Sequence, residues 1–349
     1  MSSQQYLAIP AKQFKSVASG GRLLNVHDAT TVYLDERNQV WDCPNGKEGP
    51  LHHDTSTAWI QTCEFARGVG GTRTTLRSHR WNKGFQWRVP DRPKRLLSDD
   101  ELNYFDKHGW VVLNGLLSKG TIEQLIRETD VAERESEAQL EQMRGGKGFI
   151  ARAGEITFTT HLVNRSPFIR EFYQSNIFSD IGNDLIGSDV RLYWDQAVYK
   201  KPGVEKPFPW HQDNGYTFVD PQNYLTIWIG LDAANEQNGC MWLVPEVHKM
   251  GTIHHDLTDL GYACYADDPP DAVPVPTDPG AIIVLSSLTP HKTGWNRTNK
   301  TRRALVAQLV PDGAVAVTED AWKNIHRTIA DRPDRQFKIL EGGRPCGND

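Results

Sequence analysis

The sequence predicts a mainly β fold, a sandwich or barrel of the jelly-roll type with helices packed on its outside. Three observations carry this. Text of period two dominates after Val190, turns bearing Pro, Gly or Asn separate its short strands, and the helical text comes before the strands instead of alternating with them. A helix-then-sheet order of this kind argues against a parallel βαβ sheet.

From Met1 to about Arg95 the chain is Gly-rich and polar, with short alternating pieces such as Thr57 to Thr62 and no helical period. This stretch reads as an N-terminal extension (1–95) ahead of one larger domain (96–349). Its second half is lopsided: Arg67, Arg73, Arg77, Arg80, Lys83, Arg88, Arg92, Lys94 and Arg95 face a single acid, Asp91, and are interleaved with Trp81, Phe85 and Trp87. No nucleic-acid motif accompanies them, so a basic arm wrapped over an acidic remainder is the expectation.

The first helix opens at Ser98-Asp-Asp-Glu101, a capping box in which the Ser98 side chain and Glu101 satisfy each other's backbone donors. Gly109 ends it. Trp110 to Leu113 reads as a short buried strand, Leu116 to about Met143 as a long helix with an acidic outer face, and Pro167 to Phe178 as another helix. Strands are then expected at Arg191–Tyr199, Tyr224–Leu231, Cys240–Val244, Ala281–Leu285 and Ala304–Val310.

Composition narrows the class. An apolar share of 38% with 11 Trp and 12 Phe describes a chain able to bury a large core and rules out a disordered, collagenous or coiled-coil protein. The net charge of −5 singles out no polyanionic partner. Five scattered cysteines (Cys43, Cys63, Cys240, Cys264, Cys346) form no CxxC pair, so reduced thiols are expected, and neither a disulfide framework nor a structural zinc site. The N-terminus lacks the apolar core of a signal peptide and no apolar run is long enough to span a bilayer, so a cytoplasmic location is expected, without nucleic-acid or membrane partners. Oligomeric state is left open.

Metal chemistry needs converging ligands, and three H-x-D triplets offer an imidazole and a carboxylate: His52-His53-Asp54, His211-Gln212-Asp213 and His254-His255-Asp256. In a strand, residues i and i+2 share a face, so spacing alone does not choose among them. The middle triplet has the better surroundings, between a turn-rich segment and the strand at Tyr224–Leu231, and His291 just past the strand at Ala281–Leu285 supplies a third ligand. Two His and one carboxylate on a β scaffold match the facial triad of non-haem Fe(II) oxygenases.

A second element follows His291: a hydroxyl at Thr293 and a guanidinium at Arg302, 11 residues on (302 − 291). Together with His211-Gln-Asp213, the stretch Asn238-Gly-Cys-Met-Trp-Leu-Val-Pro245-Glu-Val-His248-Lys249 and the opening Leu97 to Leu117, these residues resemble the phytanoyl-CoA dioxygenase family of Fe(II)/2-oxoglutarate oxygenases. The resemblance covers roughly Leu96 to Pro311. Glu246-Val247 stands where the family has Gly-Ser, and the presence of Asp213 disfavours the related halogenases, in which a small residue takes that place.

The resemblance implies a double-stranded β-helix with packed helices, Fe(II) held by His211, Asp213 and His291, and the far carboxylate of 2-oxoglutarate paired with Arg302, helped by Thr293. Tyr199 and Trp228 align with positions that line the co-substrate pocket. Arg303 competes with Arg302, and strand alternation lets only one of the two point inward. The implied reaction couples O2 and 2-oxoglutarate to oxidation of an unactivated C–H bond of a small molecule, most simply a hydroxylation, with desaturation or oxidative cyclisation as alternatives that use the same residues, and with succinate and CO2 released. Gln196, Tyr216 and Trp242 are the candidate substrate contacts. Two other readings share the fold: a non-catalytic binding module, and a metal-dependent isomerase or dioxygenase that does not use 2-oxoglutarate and has no need of Arg302.

Overall fold

The structure, a computed structural model, describes residues 76–204, 206–320 and 322–347, and within the first 75 residues only six short strands. The chain divides into two units, one of residues 1–75 with 270–274, the other of residues 76–269 with 275–349. In the first unit, Gln5–Pro10 pairs antiparallel with Thr57–Thr62, and Arg22–Val26, Thr30–Leu34, Val40–Asp42 and Lys47–Glu48 form a meander. Cys43, Cys63, Arg67, Arg73 and the His52 triplet lie outside the described residues. Residues 76–95 group with the larger unit, which begins at Leu76.

In the larger unit we label the helices α1 (Asp99–His108), α2 (Lys119–Gln142), α3 (Pro167–Tyr173) and α4 (Asn176–Leu185). Its site-bearing and core strands are β1 (Trp110–Leu113), β2 (Ile156–Thr160), β3 (Val190–Lys200), β4 (Phe208–His211), β5 (Leu225–Gly230), β6 (Met241–Leu243), β7 (Ile282–Ser286), β8 (His291–Thr293), β9 (Arg302–Pro311) and β10 (Lys338–Glu341). The major sheet runs β10-β3-β9-β5-β7-β1, with β2 added beside β3. The minor sheet contains β4-β8-β6. Together they form the curled, antiparallel double-stranded β-helix that the sequence predicts.

α1 starts as its capping box requires: Glu101 N donates to Ser98 Oγ at 3.3 Å and Ser98 N donates to Glu101 Oε2 at 2.8 Å. The segment predicted as one helix from Pro167 to Phe178 is two, because Ser175 takes extended backbone angles (φ −67, ψ 161) and restarts the chain as the N-cap of α4. Alternation sorts the major sheet into two faces. Leu305, Ala307 and Leu309 of β9 and Ile227 and Ile229 of β5 point into the core beneath the helices, together with Leu125, Ile169 and Phe178. The other face of these strands is left for the site.

The described part of the basic stretch is tied to acids of its own unit, Arg80 to Glu319, Arg95 to Asp180 and Arg77 to Asp256. The buried Asp184 carboxylate gathers the backbone N–H groups of Arg95, Leu96 and Leu97 at 2.9 Å, which anchors the start of α1. Cys240, Cys264 and Cys346 are free thiols.

Candidate active site

β4 and β8 bring His211 and His291 opposite each other in register, with ring centroids 4.1 Å apart. The chain then turns, and Asp213 presents Oδ1 at 3.6 Å from His211 Nε2 and 3.8 Å from His291 Nε2. Among the described residues these three form the group whose ligand atoms converge on a single point suited to a metal ion. The third triplet does not: His254, half-buried, and Asp256, exposed, bond each other at 3.0 Å.

Both imidazoles are oriented from behind. His211 Nδ1 lies 2.8 Å from the Pro209 carbonyl and His291 Nδ1 lies 3.0 Å from the Thr289 carbonyl. A carbonyl only accepts, so each Nδ1 carries the proton and each Nε2 lone pair faces Asp213. Burial, reinforced by the neighbouring His291, holds the His211 imidazole well below its ordinary pKa, and a neutral imidazole is the form that ligates a metal. The second oxygen of Asp213 accepts from the Thr226 hydroxyl on β5. A two-imidazole, one-carboxylate set of this kind fits a divalent first-row metal.

Between the two ligands sits Gln212, fully buried, whose role the sequence reading missed. Its Oε1 accepts from Ile253 N at 2.8 Å, while its amide nitrogen donates to Gly251 O and Leu288 O. Its backbone N–H donates to His255 Nε2 at 2.8 Å, and the bare Cα of Gly215 packs so closely that an added Cβ would lie 2.1 Å from that ring. Thus the ligand loop is bolted on both sides. The only sequence signal was parity: the middle residue of H-x-D must point away from the ligands, into the structure behind them.

Arg302 is 0% exposed, and none of its three guanidinium nitrogens has a partner among the described residues. Burial lowers its pKa to about 10. Its guanidinium lies 5.6 Å from the Trp228 ring, on the strand that also carries Thr226. Arg303, of opposite parity, is fully engaged: it grips Asp232 through two bonds of 2.8 Å and reaches Asp130 at 3.4 Å. A buried cation with an empty hydrogen-bonding fork fits a carboxylate guest, and Arg302 is the one of the pair able to take it.

The remaining candidates divide by strand parity. Trp228 shares the site face with Thr226, and Thr293 shares that of His291. Tyr216 stands edge-on to the His211 ring at 5.2 Å, and Gln196 and Tyr216 line a cavity floored by His211 and Asp213. Tyr199 requires a correction: its hydroxyl bonds Thr129 at 2.8 Å and Asp130 at 2.6 Å, so it packs under α2 on the face opposite the site. Its neighbour Lys200 takes the inner face instead, paired in register with Arg302 and donating to the Thr293 and Gly294 carbonyls. Trp242 is the second correction, because it pairs with Lys292, of opposite parity to His291, and lies 5.7 Å from that ammonium and not in the cavity lining.

The middle motif is structural. His248 is buried, stacks edge-on against Trp87 at 4.5 Å and bonds the Asp106 carbonyl at 3.1 Å. Glu246 adopts φ 68, the left-handed conformation that explains why a glycine is the common residue there.

The family profile described as phytanoyl-CoA dioxygenase (PhyH) matches residues 105–304, more than half of the chain and the whole of the site. The chain belongs to the phytanoyl-CoA dioxygenase family. It is therefore an enzyme of the dioxygenase type. Among its relatives, a methylphosphonate hydroxylase of Gimesia maris is 29% identical over 213 residues, 60% of this chain and 79% of that one. A phytanoyl-CoA dioxygenase of Arabidopsis thaliana is 22% identical over 263 residues, 65% of this chain and 93% of that one. Of solved structures, the non-heme alpha ketoglutarate dependent epimerase SnoN of nogalamycin biosynthesis shares the fold at a TM-score of 0.51 and 20% identity, covering 72% of this chain and 95% of that chain. EctD from S. alaskensis, solved with 2-oxoglutarate and 5-hydroxyectoine, shares it at a TM-score of 0.51 and 16% identity, covering 68% and 83%. Among the described residues of this family member, no helix is long and apolar enough to cross a membrane.

Proposed function

We propose that this enzyme hydroxylates an unactivated C–H bond of a free small molecule, using Fe(II) at His211, Asp213 and His291 and 2-oxoglutarate anchored at Arg302. The observation that carries the reading is the joint presence of a converging two-His, one-carboxylate set and a fully buried, unpartnered guanidinium on the same inner face of the barrel. A binding module has no use for either. An isomerase would use the first but has no use for the second.

Bound iron and 2-oxoglutarate supply oxygen activation, with succinate and CO2 as co-products. The chain's own residues do the rest. Pro209 and Thr289 carbonyls fix the imidazole tautomers, Thr226 and Gln212 fix the carboxylate and its loop, and Arg302 fixes the co-substrate by its distal carboxylate with Thr293 and Trp228 beside it. Tyr216 and Gln196 position the substrate over the triad, which is where the rate advantage of an aimed C–H bond arises.

The test is anaerobic titration of metal-free protein with Fe(II) and then 2-oxoglutarate, followed by the weak visible charge-transfer band that a chelated 2-oxo acid gives with Fe(II). The band is expected in the wild type, absent in Asp213→Ala, and shifted to far higher 2-oxoglutarate in Arg302→Ala. Iron binding without any band would move the assignment to the isomerase reading, and no iron binding to the non-catalytic one.

A further inference from the structure

The cavity beside the triad has a volume of about 370 Å³, at the small end of the range for ligand sites. Its floor is His211 and Asp213. Its walls are rings: Phe158, Tyr193, Trp194, Phe208, Tyr216 and Tyr224. Phe208 and Tyr216 stand edge-on to His211 from two sides, at 5.0 and 5.2 Å. Phe149, 55% exposed, sits at the mouth on a loop that Arg152 ties to the Asp259 carbonyl.

What the lining lacks among the described residues is charge. Neither Lys nor Arg faces the cavity, and the sole carboxylate is the metal-ligand candidate Asp213. A phosphate, phosphonate or carboxylate on the substrate would be stripped of water with nothing to receive it. A buried ammonium group would find ring faces and amide oxygens, but no carboxylate to pair with other than the metal-ligand candidate Asp213. Rings, in contrast, find offset and edge-on partners on every wall.

The polar groups on the lining include the tyrosine hydroxyls, the Thr217 hydroxyl and two amides. Gln196 accepts from Trp194 Nε1 at 3.1 Å, which locks that indole as a wall. Gln308, across the ladder from Trp194, keeps its side-chain amide free of any described partner while facing the cavity. It offers one donor and one acceptor to a guest.

We propose, on the oxygenase reading above, that the substrate is a compact, uncharged, ring-bearing molecule with a hydroxyl or carbonyl group read by Gln308, and not an acyl-CoA or a phosphonate. This separates the chain from the substrates named for the two relatives described above.

The test is equilibrium dialysis of the full-length protein, loaded anaerobically with Fe(II) and 2-oxoglutarate, against 1-naphthol, 1-naphthoate, 1-naphthylmethylammonium and methylphosphonate. The expected result is retention of 1-naphthol, with each ion held at least about tenfold more weakly. Gln308→Leu should weaken 1-naphthol about fivefold and leave naphthalene unchanged. Retention of 1-naphthoate or methylphosphonate as tightly as 1-naphthol, or no retention of 1-naphthol, would overturn the proposal. The visible band of the loaded protein is read in the same samples. With the band present, a failed dialysis refutes only the substrate class; with it absent, the oxygenase reading falls and the substrate class with it.

Discussion

Replacing Arg302 by Met separates two consequences that a structural arginine would not separate. The guanidinium is wholly buried without partners among the described residues, and burial lowers its pKa to about 10. The depressed value means that the unfolded chain binds its proton more tightly. The penalty is therefore full at neutral pH and is relieved only as pH rises above about 10. Keeping the charge inside forfeits stability on the order of 3 kcal/mol. Methionine has similar reach and no charge, so the metal-free Arg302→Met protein should melt at or a few degrees above the wild type. On the proposed reading, the same change removes two charge-assisted hydrogen bonds to the co-substrate carboxylate, together about 3–4 kcal/mol, or about two to three orders of magnitude in 2-oxoglutarate affinity. Differential scanning calorimetry with and without 2-oxoglutarate in the presence of Fe(II) reads both effects. A variant that loses stability without ligand, or that is stabilised by 2-oxoglutarate as the wild type is, would refute the assignment of Arg302 as a pre-formed carboxylate site.

Other expected outcomes follow from the same geometry. Gln212→Ala leaves the buried Ile253 N–H and the Gly251 and Leu288 carbonyls unpaired, which should cost about 2–4 kcal/mol in chemical denaturation and weaken Fe(II) binding about 10–100-fold in a competition titration. His248 and His255 are held neutral by burial, each lowered from 6.5 to about 4, so the unfolded state takes up their protons first as pH falls. Stability of the metal-free protein should therefore be unaffected by them above pH 6.5 and decline between 6.5 and about 4, by up to roughly 3 kcal/mol for each, in urea melts above and within that window. Glu246→Gly relieves a left-handed backbone in an exposed side chain and should raise stability by about 0.5–1 kcal/mol; a loss would mean that the Glu246 side chain is holding the loop.

How far the sequence reveals this molecule depends on which residues speak in patterns. The five strands after Val190 announce themselves by alternation, and the metal set by H-x-D with a hydroxyl and a guanidinium at fixed distances behind the last His. Adjacent strand residues face opposite ways, so only one of Arg302 and Arg303 can point inward; spacing from His291 favours Arg302, and the structure gives Arg303 to Asp232. The same rule would have removed Tyr199, since Gln196 and Tyr199 differ by an odd number and cannot both face the cavity of one regular strand. Trp242 fails for a related reason, because only its pairing with Lys292 shows its side and pairing is not written in a three-residue strand. Gln212, His255 and Lys200 act through long-range contacts to residues 39 to 94 positions away, and no local period records such partners.

The account turns on one composite claim, that iron and the co-substrate carboxylate occupy the places these side chains prepare. An anaerobic crystal structure of the protein with Fe(II) and 2-oxoglutarate, with data collected on both sides of the iron absorption edge, tests it most directly. The account predicts one anomalous peak among His211 Nε2, Asp213 Oδ1 and His291 Nε2, and a carboxylate in the fork of Arg302. A peak elsewhere, or a carboxylate that leaves Arg302 unpartnered, would contradict it.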